Sequence, residues 1–519
     1  MSSFFSKLSK HWSGAKEPFE LDALSRRRGR VVTALAALAA AAAYAFFYYK
    51  YVPLVPGFQA ILAPVLAGVF LATYSSVERG LLALVFVLPL INNLPYWFGI
   101  HLQTPHAPTA LPLILTFGLG LIVRKAVFPS GPDAPCRPLP LRRPIAGLSA
   151  LIVLSAVINL LRHMDFFPFR SDGILELVVN AGGVRAGGAI MSTVFSSLSY
   201  LTGFFLFAAV YRAAENRAFI HRLLRVLAVA ALLSLLFAVI QKTWAPGLGN
   251  TPYWVHFGQI NGTFKDPNSF GGFLAAFVPL ALGLAFSARG GARVLGFAVA
   301  ALALAIFPAA GSRSSLLAMA AGLILFFGAA VYQISRRGFA ARRRRQIVAV
   351  VLVLAVAALG FFGSKLHTRL SWSIEALTGR LTLGEFFNYR LTLWSAAFRM
   401  IAAYPLTGVG VGGFIIELPN TLAAEATGRI ITDSALNYFF QGGAELGTAG
   451  LALLFWIFGA LAWRMIRTAG RFSGGEARPD FIAIGAAAGV AAFLVSFVFH
   501  SYIGSFEVIG FFWLLAALL

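Results

Sequence analysis

The chain has 519 residues, 59% of them hydrophobic and 12% charged, with a formal net charge of +23 at pH 7. A soluble domain carries about 25% charged residues, so this chain lacks the side chains to cover a water-facing surface, and its mean hydropathy of +0.80 agrees. The single cysteine, Cys136, excludes an intramolecular disulfide and the usual cysteine-based zinc and redox sites.

A basic segment, 1–30, carries SRRRGR at Ser25–Arg30 and precedes an alanine-rich apolar run at 31–49. A basic lead of that length, with further spans behind it, marks a first helix rather than a cleaved leader. Apolar runs suited to crossing hydrocarbon follow at 58–75, 80–98, 107–123, 144–161, 190–211, 223–241, 269–287, 294–310, 314–334 and 346–363. A long segment at 364–445 has prolines and a modest amphipathic pattern, and 446–465, 481–499 and 507–519 close the series. These runs predict an all-α polytopic membrane protein of about 12–14 transmembrane helices with a large helical extracytoplasmic loop. The domains read as a cytoplasmic basic N-terminus (1–30), transmembrane helices 1–11 (31–363), an external loop subdomain (364–445) and C-terminal transmembrane helices (446–519).

With the N-terminus in the cytoplasm and sides alternating at each span, most lysines and arginines fall inside. These include Arg124 and Lys125, Arg212–Arg222, Arg289–Arg293 and the RRGFAARRRR run at Arg336–Arg345. This is the positive-inside bias. The clusters then serve as anchors against anionic membrane lipids, and nucleic acid is not an expected partner. Three sizeable segments lie outside, at 162–189, 242–268 and 364–445. The last is too long and too varied in composition for a plain linker, which favours a functional loop.

Four outward-facing stretches carry candidate chemistry. In NGTFKDPNSFGGFL (Asn261–Leu274), Pro267 breaks the chain and Asn268 or Ser269 can cap the helix that begins there, with Lys265 beside its N-terminus. Free N–H groups and the positive dipole end there suit a phosphate. Next comes Arg313, at the outer tip of a hairpin between two apolar runs, where a charge has a cost unless something anionic meets it. The bland alternative is a snorkelling turn residue. In NYRLTLWSAAFRM (Asn388–Met400), Arg390 and Arg399 offer the guanidinium fork suited to phosphate. Leu391, Trp394 and Phe398 read there as core residues. In DSALNYFFQGGAELG (Asp433–Gly447), Asp433, Asn437, Gln441 and Glu445 fall four apart and form one polar stripe on a helix, unless Gly442 and Gly443 bend it. GVGVGGF (Gly408–Phe414) satisfies a dinucleotide-binding pattern literally but lacks the flanking strand and helix. It reads as a close-packing turn after Pro405.

In this order, GTFKDPNSFGGFL, GSRSSLLAM, RLTLW with YPLTGVGVGGF, and LNYFFQGGAELGTAGL resemble the O-antigen ligase and polymerase superfamily of bacterial envelope glycosyltransferases. The resemblance implies a GT-C-like enzyme of the bacterial inner membrane. It would take a glycan from undecaprenyl diphosphate on the outer face and pass it to a glycan or lipid A core acceptor, without metal or cofactor. Arg313 and Arg390 fall where the family places arginines that grip the diphosphate, and Lys265, Asn268, Asn437 and Gln441 join the substrate-binding set. Ligases carry a histidine directly before the asparagine that matches Asn437, whereas this chain has Leu436. Asp433 is then the expected substitute base, with Glu445 further along, while His256 and His367 read as structural. That departure favours a polymerase of lipid-linked repeat units (O-antigen or exopolysaccharide) over a ligase. A flippase for the same lipid-linked sugars is the alternative of another class, disfavoured by the scarcity of charges deep within the spans.

Overall fold

The structure, a computed structural model, describes residues 17–100, 108–128, 138–164, 184–336, 390–421, 434–470 and 480–519. In hydrocarbon the backbone must satisfy its own polar groups, and the apolar runs accordingly fold as helices. In chain order they are α1 Glu17–Tyr51, α2 Pro56–Ser75, α3 Val77–Val87, α4 Leu94–Trp97, α5 Ala110–Val127, α6 Arg142–Met164, α7 Val184–Ala213, α8 Arg217–Thr243 and α9 Pro252–His256. Then come α10 Pro267–Ser287, α11 Gly291–Ala310, α12 Arg313–Arg336, α13 Arg390–Ala403, α14 Phe414–Thr421, α15 Tyr438–Gly470, α16 Phe481–Phe499 and α17 Phe506–Ala517. Among the described residues, 11 helices are long and apolar enough to cross a membrane. The chain is an all-α polytopic membrane protein.

The centre of the bundle is α10. Its spanning window is 94% buried, against 6% for the peripheral α1. It packs against α11, α12 and α16. Small residues allow the approach: a Cβ on Gly485 of α16 would lie 2.7 Å from the Pro279 carbonyl oxygen of α10. Close backbone contact of this kind replaces the hydrophobic drive that is missing between helices in lipid.

Three expectations about the spans change. The run at 80–98 is not one helix: α3 ends at Val87 and turns follow to the four-residue α4. Pro89, Asn92, Asn93 and Pro95 interrupt it, and the Asn92 amide turns back to the Leu88 carbonyl at 2.6 Å. The last run, 507–519, gives only the 12-residue α17, roughly 18 Å long and short of a crossing. The helix expected from 446 begins earlier, at Tyr438, and is broken at Gly447 (φ 67°) rather than at Gly442 or Gly443. The run at 346–363 lies outside the described residues, as do 364–389 of the large loop and, with them, His367. The described part of that loop has its own small core of Leu393, Ala397, Met400, Phe414 and Leu418.

The helix termini sort into two ends. At one end Arg222 pairs with Glu78 at 2.8 Å, and Arg124 donates to the Tyr74 and Ser75 carbonyls. At the other lie the turns after α3, the 244–266 segment, the 311–312 hairpin, the described loop residues and the 500–505 turn.

Candidate functional site

The second end is built on buried polar side chains of the 241–266 region. The Gln241 amide donates to the Leu248 carbonyl at 2.7 Å and to Asn261 Oδ1 at 2.8 Å, while its oxygen accepts from the Gly262 amide. The Asn261 amide donates to the Gly249 and Phe264 carbonyls, and Asn93 donates to Gly262. Burial makes unpaired polar groups costly, so this network holds the chain in one path up to Lys265.

At the start of α10 the cap is Asp266, not Asn268 or Ser269. Its extended backbone lets Oδ1 accept from the Asn268 and Ser269 amides at 2.9 and 2.8 Å, and Oδ2 accepts from the Ser269 hydroxyl at 2.7 Å. Pro267, which has no N–H, fills the first helical position. Lys265 is half-buried and its Nζ donates to the Gly504 carbonyl at 3.4 Å.

That carbonyl belongs to the turn between α16 and α17, HSYIGS (His500–Ser505), which sequence reading passed over. The turn joins four helix starts. The Asn437 amide donates to the Val498 carbonyl at 2.8 Å just before it, and Arg390 Nη1 donates to the Phe499 carbonyl at 2.9 Å. The Tyr502 hydroxyl bonds Ser496 Oγ at 2.7 Å, donates to the Asn268 carbonyl at 3.4 Å and stands beside Ser315. Burial pushes the Tyr502 phenol above its ordinary range, so it remains a proton donor. Ser505 Oγ meets Ser269 Oγ at 3.3 Å. Tyr502 (φ 50°) and Leu436 (φ 49°) are two of the three described non-glycine residues with left-handed backbone, a conformation that costs roughly 1–3 kcal/mol and gathers at functional sites.

The sequence-derived candidates divide. Arg390, at the first residue of α13, is drawn into the turn. Arg313 is the first residue of α12, exposed, after a hairpin in which Gly311 (φ 69°) makes the turn. The two arginines open different helices. They are linked through Phe499, Tyr502 and Ser315, at the same end of the bundle. Asn437 is the cap of α15: its Oδ1 accepts from the Phe439 and Phe440 amides. Gln441 holds the Ala435 amide and donates to Glu445 Oε1 at 2.7 Å, as the four-residue spacing predicts. Glu445 is 1% exposed, beneath the Gly408–Phe414 loop, and its Oε2 makes no hydrogen bond although the Gly412 and Phe414 amides lie near. Asp433 lies outside the described residues. His256 is exposed, with its ring against Phe257.

Two further readings change. GVGVGGF is a close-packing turn, with Gly408, Gly410 and Gly412 all at positive φ, and it wraps Glu445 rather than merely following Pro405. Leu391 and Phe398 are exposed, lining with Trp394 and Arg399 an open groove of about 560 Å³; the core face of α13 is Leu393, Ala397 and Met400. The helical spacing was legible there, but two faces of α13 share it. Among the described residues, no cluster of three or more His, Cys, Asp or Glu residues could hold a metal ion.

No curated protein matches the chain at a significant level. A family model described as O-antigen ligase matches residues 297–455. The match takes in Arg313, Arg390, Asn437, Gln441 and Glu445; Lys265, Asn268 and the 500–505 turn lie outside it. Over this segment, about a third of its length, the chain is similar to the O-antigen ligase family.

Proposed function

We propose that this protein elongates a glycan by moving repeat units from a polyprenyl diphosphate, undecaprenyl diphosphate in a bacterial inner membrane, onto a glycan acceptor at the outer face. The observation that carries the reading is the clustering of helix starts and cations around the 500–505 turn. Arg390, Lys265 and the capped start of α10 all make contact with that turn or its flanks, and Arg313 opens the neighbouring α12. Breaking the sugar–diphosphate bond builds negative charge on the departing oxygens, and fixed donors act there without reorganising. Arg313, at the exposed edge, would meet the diphosphate while the lipid tail remains in hydrocarbon. Arg390, Lys265 and Asn268 would complete the grip, and Asn437 and Gln441 would hold the turn and the α15 start in place. The proton of the acceptor hydroxyl also needs a destination, a part the sequence gives to Asp433 and Glu445. Glu445, closed beneath the glycine loop, is better suited to fixing Gln441 and that loop.

Leu436 favours a polymerase, because leucine cannot supply the histidine of the ligases. The test is to replace Arg313 and Arg390 singly with alanine and analyse the lipid-linked glycans. A polymerase defect leaves single repeat units on the carrier, displayed outside. Long chains left on the carrier would indicate a ligase, and repeats trapped on the cytoplasmic side a flippase. The expected loss for either variant is roughly 10²–10³ in transfer rate, the cost of one oxyanion donor. Normal glycans from both variants at normal protein levels would end the diphosphate reading.

A further inference from the structure

Glu507 occupies the first turn of α17, directly after the turn that receives Arg390 and Lys265. It is 2% exposed and its Oε1 is buried without a hydrogen-bond partner. An unpaired buried carboxylate oxygen is expensive, and the interactions near this group are its own backbone amide and the charge of Lys265. Its charged and titratable neighbours are Lys265 and Asp266 from the start of α10, and Tyr96 from α4. Asp266 is committed to its cap, which leaves Lys265 as the cation facing Glu507. The turn before α17 has an open side: a Cβ built on Gly504, whose carbonyl Lys265 reaches, would meet nothing within 4 Å. An orphaned acceptor and a neighbouring cation, behind a turn whose Gly504 side is open, are features that an acceptor sugar hydroxyl would use.

We propose that Glu507 is the catalytic base for the acceptor: its Oε1 accepts the proton of the acceptor sugar hydroxyl. This rests on the glycan-transfer reading above and names a carboxylate outside the segment that the family match covers. In the step, the acceptor O–H bond breaks and its proton passes to the carboxylate. The oxygen lone pair forms the new bond to the anomeric carbon of the donor. The bond from that carbon to the diphosphate oxygen breaks with its electron pair, and the guanidinium groups meet the charge that leaves. The protonated Glu507 then returns its proton to water.

The experiment uses membranes holding the full chain and, as donor, the lipid-linked glycans extracted from cells that lack the protein. Glu507→Gln retains size and shape, so the variant should fold, checked by its melting curve in detergent. The turnover number should fall about 10²–10⁴-fold with little change in KM, the usual contribution of a positioned base. Glu507→Asp should recover part of the rate. In Lys265→Met the acid limb of the pH–rate profile should move to higher pH, because the cation that favours ionised Glu507 is gone. Three results would overturn the proposal: Glu507→Gln within threefold of the parent; Glu507→Asp no better than Glu507→Gln; or Asp433→Asn abolishing transfer while Glu507→Gln retains it. If Glu507→Gln does not fold, the Asp variant and the Lys265 shift decide. The two readings fail separately: a parent that does not transfer the extracted glycan sinks the function, whereas an active parent, an inactive Arg390→Ala and an active Glu507→Gln sink only the base.

Discussion

Asn437 shows how much one amide group can fix. Its oxygen caps α15 through the Phe439 and Phe440 amides, and its nitrogen ties the end of α16 through Val498. Losing the cap alone costs about 0.5–2 kcal/mol, and losing the donor releases the turn that Arg390 also grips. Serine can keep the cap but cannot reach Val498. Asn437→Ser should therefore melt above Asn437→Ala, while both lose transfer to a similar degree. Equal melting of the two would show that the cap contributes nothing. The sequence placed Asn437 in a polar stripe but did not show it as a cap, because the helix start depends on where the preceding backbone turns. Leu436 turns there through a left-handed conformation that leucine rarely adopts. Asp266 was missed as a cap for a related reason: Asn268 and Ser269 are equally good capping types, and only the position of Pro267 at the first helical residue decides among the three.

Among the elements, the glycine loop Gly408–Phe414 is the most constrained. A Cβ on Gly412 would stand 2.4 Å from the Ser192 carbonyl oxygen of α7, at a φ of 74° that already disfavours a side chain. The left-handed backbone alone costs roughly 1–2 kcal/mol, and the clash adds to it. Gly412→Ala should lower the melting temperature clearly, whereas Gly459→Ala, a helical site with nothing within 4 Å, should leave it unchanged or raise it. If both variants melt like the parent, the loop is not clamped between the helices. The long spans, a helix opening close to Pro267 and the hairpin at Arg313 were legible because apolar length and proline position act locally, though the first helical residue and its cap were not. The glycine loop was legible as a turn but not as the cover of Glu445, which is a tertiary relation. The 500–505 turn was hidden by its brevity between two apolar runs. The signal was present: His500, Ser501, Tyr502, Ser505 and Glu507 are polar residues set between two long apolar runs.

For the molecule as a whole, everything depends on which end faces which compartment. One end gathers Arg124, Arg212, Arg217, Arg222, Arg289, Arg293, Arg464 and Arg467, and there Arg222 pairs with Glu78. The other end has fewer cations among the described residues, and three of them, Lys265, Arg313 and Arg390, belong to the proposed site. An anionic cytoplasmic leaflet and retention of short basic loops favour the first end inside. The second end would then meet the lipid-linked glycan outside. Exposed aromatic residues at that end, Trp97, Trp244, Tyr253 and Phe257, fit an interfacial belt that would seat the site at headgroup depth. Single cysteines test the orientation once Cys136 is replaced by serine. In intact spheroplasts His256→Cys, exposed in α9, should react with a membrane-impermeant maleimide. Arg289→Cys, exposed between α10 and α11, should react only after the membrane is opened. The reverse pattern would put the arginine grip and Glu507 in the cytoplasm, where a glycan already carried to the outer face could not reach them, and glycan transfer at the outer face would be ruled out regardless of how the site variants behave.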